Sequence, residues 1–168
     1  SACLAFCQMW AELMQLSEAP APEWWWTRYV EIAAPLEGNH RLKSRVSGFS
    51  GTLSEFVAEA LPDAFARGLT LFEAQETWHS GAYLLETVPT VLYTLAVHGH
   101  DPEEAMVRAA TDSWDNDTTA AIVGASVGAL HGVDALPARW VEGLLGRLGN
   151  SDDGEVQRLL MALRESVD

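Results

Sequence analysis

An all-α fold is the class this sequence predicts, and three observations carry the prediction. Apolar residues recur at helical spacing in one segment after another. Asp101-Pro102-Glu103-Glu104 is a complete helix start, with a capping side chain, a proline at the first helical position and acids in the first turn. No stretch alternates apolar and polar residues as a half-buried strand does. Composition agrees: the 168 residues are 48% hydrophobic and 20% charged, and a chain of this length hides about 70% of its unfolded surface. Residues 1–168 therefore read as a single all-α domain, or as the C-terminal portion of a larger one.

Each element has its own justification. Ala2 to Leu16 places Leu4, Phe6, Cys7, Met9, Leu13, Met14 and Leu16 around more than half of a helix, which predicts a buried element. Cys3 and Cys7 lie one helical turn apart, a poor disulfide geometry, so both are expected to be reduced and buried, as in a cytoplasmic protein. Pro20 and Pro22 close that element, and another opens near Trp24. Successive helical side chains fan out by about 100°, so Trp24, Trp25 and Trp26 cannot all face inward. Residues 35–52 set Arg41, Lys43 and Arg45 among Gly38, Gly48 and Gly51 and read as an exposed loop. A short helix is expected from Leu53, ended or kinked by Pro62 before Gly68. Residues 72–81, with Glu73, Glu76, Trp78 and His79, point to no class.

Leu84, Leu85, Val88, Val91, Leu92, Leu95 and Ala96 predict a helix within Ala82–Val97, kinked at Pro89 or beginning near Thr87. After His98-Gly99-His100 the capped helix runs from Pro102 to about Ala110. Thr118 to Leu130 predicts a helix with a ridge of small residues that includes Gly124 and Gly128. Each interior glycine costs about 1 kcal/mol against alanine, so close packing along that ridge is expected. Further helices are expected from Pro137 and over 155–167.

Charge and hydropathy exclude some partners. Ten Lys and Arg against 24 Asp and Glu leave a net charge of −14, which argues against nucleic acid and anionic membranes. No apolar run reaches the roughly 18 residues of a membrane span. The same excess of acid suits a protein that concentrates cations.

The chemistry concentrates in Ser113-Trp114-Asp115-Asn116-Asp117-Thr118, at the entrance to the small-residue helix. Asp115, Asp117 and Thr118 offer three oxygen ligands of the kind that hard divalent cations prefer, and a cation relieves the repulsion between crowded carboxylates. The alternative is that one aspartate caps the helix while the other is solvated. An EF-hand loop is excluded, because its sixth position would be Ala120 and its twelfth Ser126. His98 and His100 with Asp101 lack the further ligands of a zinc site. Glu76 and Glu86 read as solvated helix-face carboxylates. His131 is expected against the last carbonyls of its own helix.

The run W-D-N-D-T-T-A-A-I-V-G-A-S-V-G-A-L-H-G, followed by L-P-A-R-W, resembles the C-terminal signature of the ADP-ribosylglycohydrolases. GAYLLETVPTVLYTLAVHGHDPEEAMVRAA is similar to the two family helices ahead of it, so the resemblance covers about 80–145 well and 1–80 loosely. It implies the C-terminal part of a compact, orthogonal multi-helix bundle that holds two Mg2+ or Mn2+ ions in a cleft for ADP-ribose, and a hydrolase that frees ADP-ribose from an ADP-ribosylated substrate. By position Asp115, Asp117 and Thr118 match metal ligands, while Ser80, Gly81 and Tyr83 match residues lining the ligand cleft, with Tyr83 as a stacking surface or simply a packing residue. Many relatives have glycine where this chain has Trp114. The family's Thr-Asp-Asp ligands and the acid near the attacking water have no counterpart in residues 1–79, so the catalytic residues remain unknown and are expected in a missing N-terminal half. An N-terminal companion, as a preceding segment or a separate chain, is the implied partner. A non-catalytic relative of the lens-crystallin kind is the alternative.

Overall fold

Where the helices start is governed by local side-chain chemistry. Thr52 and Thr70 each accept a hydrogen bond from the amide three residues on, and the Glu55 and Glu73 carboxylates in turn accept one from the threonine amide, so two capping boxes open two helices. Asp101 accepts from the Glu104 amide at 3.0 Å and opens a third, with Pro102 at its first position as the sequence predicts. The computed structural model describes residues 1–140, 154–155, 158–160 and 162–163. Among them the order is α1 (Ala2–Leu13), α2 (Pro22–Glu37), β1 (Leu42–Lys43), β2 (Ser50–Gly51), α3 (Leu53–Ala66), α4 (Leu71–Trp78), α5 (Leu84–His98), α6 (Pro102–Thr111) and α7 (Asn116–His131), then a 3-10 turn at Val133–Ala135. The protein is all-α apart from one small hairpin. The helix expected from Pro137 and the segment 155–167 lie mostly outside the described residues.

The chain forms two compact units, Ser1–Ala135 and Leu136–Asp168. Within the second, Arg139 stacks over the Trp140 ring at 5.3 Å. The first is built around α5, which packs against α2, α3, α4, α6 and α7. Leu85, Val88, Val91, Leu92, Tyr93, Leu95 and Ala96 are all buried, so α5 is covered on nearly every side. Trp25, Trp78, Tyr29 and Tyr93 supply the largest buried rings, each worth about 4–6 kcal/mol of hydrophobic burial as an upper bound. Their polar ends differ: Trp78 Nε1 donates to Thr90 Oγ1 at 3.1 Å and the Tyr93 hydroxyl to the Leu69 carbonyl at 2.6 Å, whereas the Tyr29 hydroxyl has no partner. Arg28 joins α2 to α1 through Glu12, donating from Nε at 2.7 Å and Nη2 at 2.5 Å.

Several expectations need correction. α1 buries only the face of Ala2, Ala5, Phe6, Met9 and Leu13; Leu4 and Met14 are exposed, and so are the free thiols of Cys3 and Cys7. The apolar count was right and the partner for the second face is lacking among the described residues. Trp25 and Trp26 are buried and Trp24 half-buried, which divides the three indoles as helical geometry requires. Residues 35–37 are the end of α2, and the loop beyond carries a hairpin pairing Leu42 with Gly51 and Lys43 with Ser50. Strands of two residues are too short to show alternation. Pro62 neither ends nor closes α3, and Pro35 sits inside α2. A helix-interior proline leaves the carbonyl four residues earlier without its bond; here those residues, Ala58 and Glu31, are exposed, so water replaces it. α5 begins at Leu84 and continues through Pro89, and of the undecided residues 72–81 those up to Trp78 belong to α4 (Leu71–Trp78). A methyl on Gly124 would meet Met106 Cε at an ordinary 3.5 Å, and one on Gly128 would meet nothing within 4 Å among the described residues, so the small-residue ridge of α7 is not sterically required here.

Candidate functional site

The first turn of α7 is where the candidate ligands meet. Asp115 occupies the N-cap position, and its carbonyl accepts the Thr119 amide at 3.0 Å, yet its carboxylate makes no capping bond. Instead Oδ1 accepts from the Thr118 hydroxyl at 3.1 Å, and Oδ2 is buried with no hydrogen-bond partner. An orphaned buried acceptor costs about 1–3 kcal/mol unless something fills its coordination. Asp117 is exposed, and its Oδ1 accepts the Thr118 amide at 2.8 Å. Structure thus puts Asp115 beside the Thr118 hydroxyl, while Asp117 is tied to the backbone between them. Both carboxylates lie at the positive end of the α7 dipole, which favours their charge. Among the described residues no three His, Cys, Asp or Glu side chains gather as a metal site, so this donor set is a partial one. Two carboxylates and a hydroxyl, one carboxylate oxygen without a donor, fit one side of a hard-cation site.

The loop ahead of Asp115 is held from α4. Gln75 Nε2 donates to the Asp112 carbonyl at 2.6 Å, and the Trp114 amide donates to Ser80 Oγ at 3.1 Å. Ser80 is itself buried, so it acts as a strut under the candidate metal loop. His79 ends α4 with φ 69°, a left-handed conformation that costs a non-glycine residue about 1–3 kcal/mol, and its ring meets the Trp114 indole edge-on at 4.5 Å. Trp114 is 72% exposed. With Val46, Glu73 and Glu76 these two rings border a groove of about 460 Å³.

Gly81 and Tyr83 belong to a neighbouring cluster. The Gly81 carbonyl accepts from Thr87 Oγ1 at 2.8 Å, and a methyl on Gly81 would come within 2.6 Å of Glu86 Oε2. Glu86 is only 1% exposed, which overturns its reading as a solvated carboxylate. Among the described residues neither of its oxygens has a hydrogen bond, and it forms an ion pair with Arg45 Nε at 3.3 Å. The Arg45 guanidinium also lies 5.1 Å over the Tyr83 ring, whose hydroxyl accepts the Lys43 amide at 3.3 Å. One face of Tyr83 is thus covered by the hairpin. Sequence reasoning missed Glu86, Arg45 and His79 as members of this region. A signal for Glu86 existed, since it is the lone carboxylate of Ala82–Val97, inside a helix otherwise apolar enough to be buried all round.

The remaining histidines have structural surroundings. His131 Nε2 lies 2.8 Å from the Gly99 carbonyl, across from α7 and not on its own last turn, because Gly132 at φ 75° already closes that helix by a hydrogen bond from its amide to the Gly128 carbonyl. His98 is pushed below its ordinary value, chiefly by burial.

Comparison with known proteins places this arrangement in context. A family model described as ADP-ribosylglycohydrolase matches residues 1–167, well beyond the 80–145 in which the motifs are legible. The ADP-ribosyl-[dinitrogen reductase] glycohydrolase of Rhodospirillum rubrum is 32% identical over 84 residues, half of this chain and 27% of that protein. The chain therefore spans about a quarter of that curated relative. No solved structure matches it. With a family match over almost its whole length, and an Asp-x-Asp-Thr turn opening its small-residue helix, the chain belongs to the ADP-ribosylglycohydrolase family.

Proposed function

We propose that this chain is part of a hydrolase that removes ADP-ribose from a modified acceptor, breaking an N- or O-glycosidic bond with two Mg2+ or Mn2+ ions. Family membership and the printed activity of the Rhodospirillum rubrum relative support the hydrolase reading. The observation that carries the metal is Asp115 Oδ2, buried, unpartnered and next to a threonine hydroxyl at a helix N-terminus.

Asp115, Asp117 and Thr118 would hold the cation. Bound there, a divalent ion supplies Lewis acidity toward ribose oxygens and lowers the pKa of a coordinated water. The chain's own residues supply the rest. Thr118 keeps Asp115 Oδ1 oriented, Ser80 anchors the loop through the Trp114 amide, and Gln75 fixes its other end through Asp112. Gly81 and Tyr83 shape the ligand side, and the Trp114 indole, where many relatives have glycine, narrows the side toward the acceptor. The remaining metal ligands and the group that activates water come from an N-terminal companion, and the whole works in the cytoplasm.

Calorimetric Mn2+ titration alongside ADP-ribose release tests this on the protein with its companion. Asp115→Asn and Asp117→Ala should each weaken metal uptake at least about tenfold and depress turnover in step, since a charged ligand interaction is worth about 1.5–3 kcal/mol. Unchanged metal uptake and turnover in Asp115→Asn sinks the assignment.

A further inference from the structure

Glu86 is a buried carboxylate with no hydrogen bond, and it spends its charge on one exposed arginine of the hairpin. That pairing is unusual in its geometry. The guanidinium nitrogen nearest Glu86 is Nε, and Nη1 and Nη2 of Arg45 hydrogen-bond no protein group among the described residues. Arg28, by contrast, uses Nε, Nη1 and Nη2 on Glu12 and Glu31. Arg45 is 61% exposed, so its forked edge is open to a ligand. Its plane is steadied from two directions, by the Tyr83 ring 5.1 Å away and by Glu86. Arg41, Lys43 and Arg45 are all exposed, in and beside the first strand of the hairpin. Lys43, whose amide is fixed on Tyr83, makes no ion pair through its ammonium group among the described residues.

A guanidinium held in place with its fork free fits a phosphate better than any other common group, because two parallel N–H donors match two phosphate oxygens. Long-range attraction plays no part, since the chain's net charge is −14. Charges beyond the Debye length of about 8 Å are screened at physiological ionic strength, which leaves the hairpin cations in control locally. Building on the reading of this site as one for ADP-ribose, we propose that Arg45, assisted by Lys43, binds the diphosphate of the ligand, and that Glu86 is the positioning residue that aims the Arg45 fork. Gly81 lets the carboxylate lie against the loop, and a side chain there would displace it.

Titration calorimetry of the purified protein with inorganic pyrophosphate, in metal-free buffer, reads the anion site directly, and ADP-ribose is the second titrant. Arg45→Gln should weaken pyrophosphate at least about tenfold, the worth of a charge-assisted pair of hydrogen bonds, while Arg45→Lys, which keeps the charge and loses the fork, should fall between. Glu86→Gln separates positioning from charge. Removing a negative charge tightens anion binding if Coulomb attraction alone matters, so weaker binding supports the positioning role and tighter binding overturns it. Should Glu86→Gln fail to fold, the Lys and Gln variants of exposed Arg45 still decide the case: equal binding by wild type and Arg45→Gln overturns the proposal. ADP-ribose binding that ignores Arg45→Gln overturns the diphosphate site and leaves the hydrolase reading intact. Pyrophosphate binding that depends on Arg45, in a protein that takes up no ADP-ribose, keeps the anion site and overturns its assignment to the ADP-ribose diphosphate.

Discussion

Asp115 and Glu86 are both carboxylates with buried, unpartnered oxygens, and they border adjoining stretches of the same surface. A buried acceptor without a hydrogen bond costs about 1–3 kcal/mol unless something fills its coordination: Glu86 has the Arg45 ion pair, and at Asp115 the unfilled Oδ2 is the physical argument for a cation. The sequence made one of the two visible. Asp115 stands with Asp117 and Thr118 in a spacing that marks a hard-cation turn, whereas Glu86 looks like any helix-face acid until the helix is known to be buried on all sides. His98 is a third titratable residue set by burial, and its sign can be worked out. Its folded-state pKa lies below the ordinary 6.5, with Glu104 and Asp112 opposing burial and Arg108 and His100 assisting it. Below that pH the unfolded chain therefore binds a proton that the folded chain resists, and stability falls as pH drops from about 6.5. Urea unfolding at about pH 7 and about pH 5.5 should show a smaller loss in His98→Gln than in wild type; equal losses would remove His98 from the account.

Elements were legible where the start signal is local and the apolar face is single. Asp101-Pro102 foretells the start of α6 to the residue. The capping boxes Thr52-Leu53-Ser54-Glu55 and Thr70-Leu71-Phe72-Glu73 carry the same information for α3 and α4, and reading the second would have decided the unclassified residues 72–81. Prolines misled for a reason visible only in three dimensions: at Pro35 and Pro62 the carbonyl that loses its bond lies on the solvent side. The hairpin was hidden because each strand has two residues. α7 gives the opposite lesson, since its glycines suggest close packing that Ser1–Ala135 does not impose. Gly128→Ala is consequently expected to stabilise the protein by up to about 1 kcal/mol, through helix propensity and a less disordered unfolded state. A higher thermal midpoint in scanning calorimetry supports this. A loss of more than about 1 kcal/mol would show that a partner surface needs the gap.

At the scale of the whole molecule, the apolar surface left over asks for a partner. Leu4, Met14, Leu36, Phe72, Leu84 and Trp114 are all exposed large side chains, and Leu36 and Leu84 share with Ser1 and Leu42 a hollow of about 420 Å³. Single exposed apolar residues are ordinary, but two exposed leucines on one hollow that Ser1, at the start of α1, also lines form the kind of patch that marks an interface. The donor set on α7 is a partial one among the described residues, and the chain spans only about a quarter of the curated relative it matches. One companion that covers the hollow and brings the remaining acids to Asp115 would satisfy both. Residues 1–168 on their own are then expected to self-associate or bind a hydrophobic dye, and to become monodisperse and lose dye binding when the companion is added, as read by analytical ultracentrifugation and fluorescence. A monodisperse 18.3 kDa monomer that binds no dye and unfolds cooperatively would mean that this surface is stable in water and that the metal ligands must be sought elsewhere.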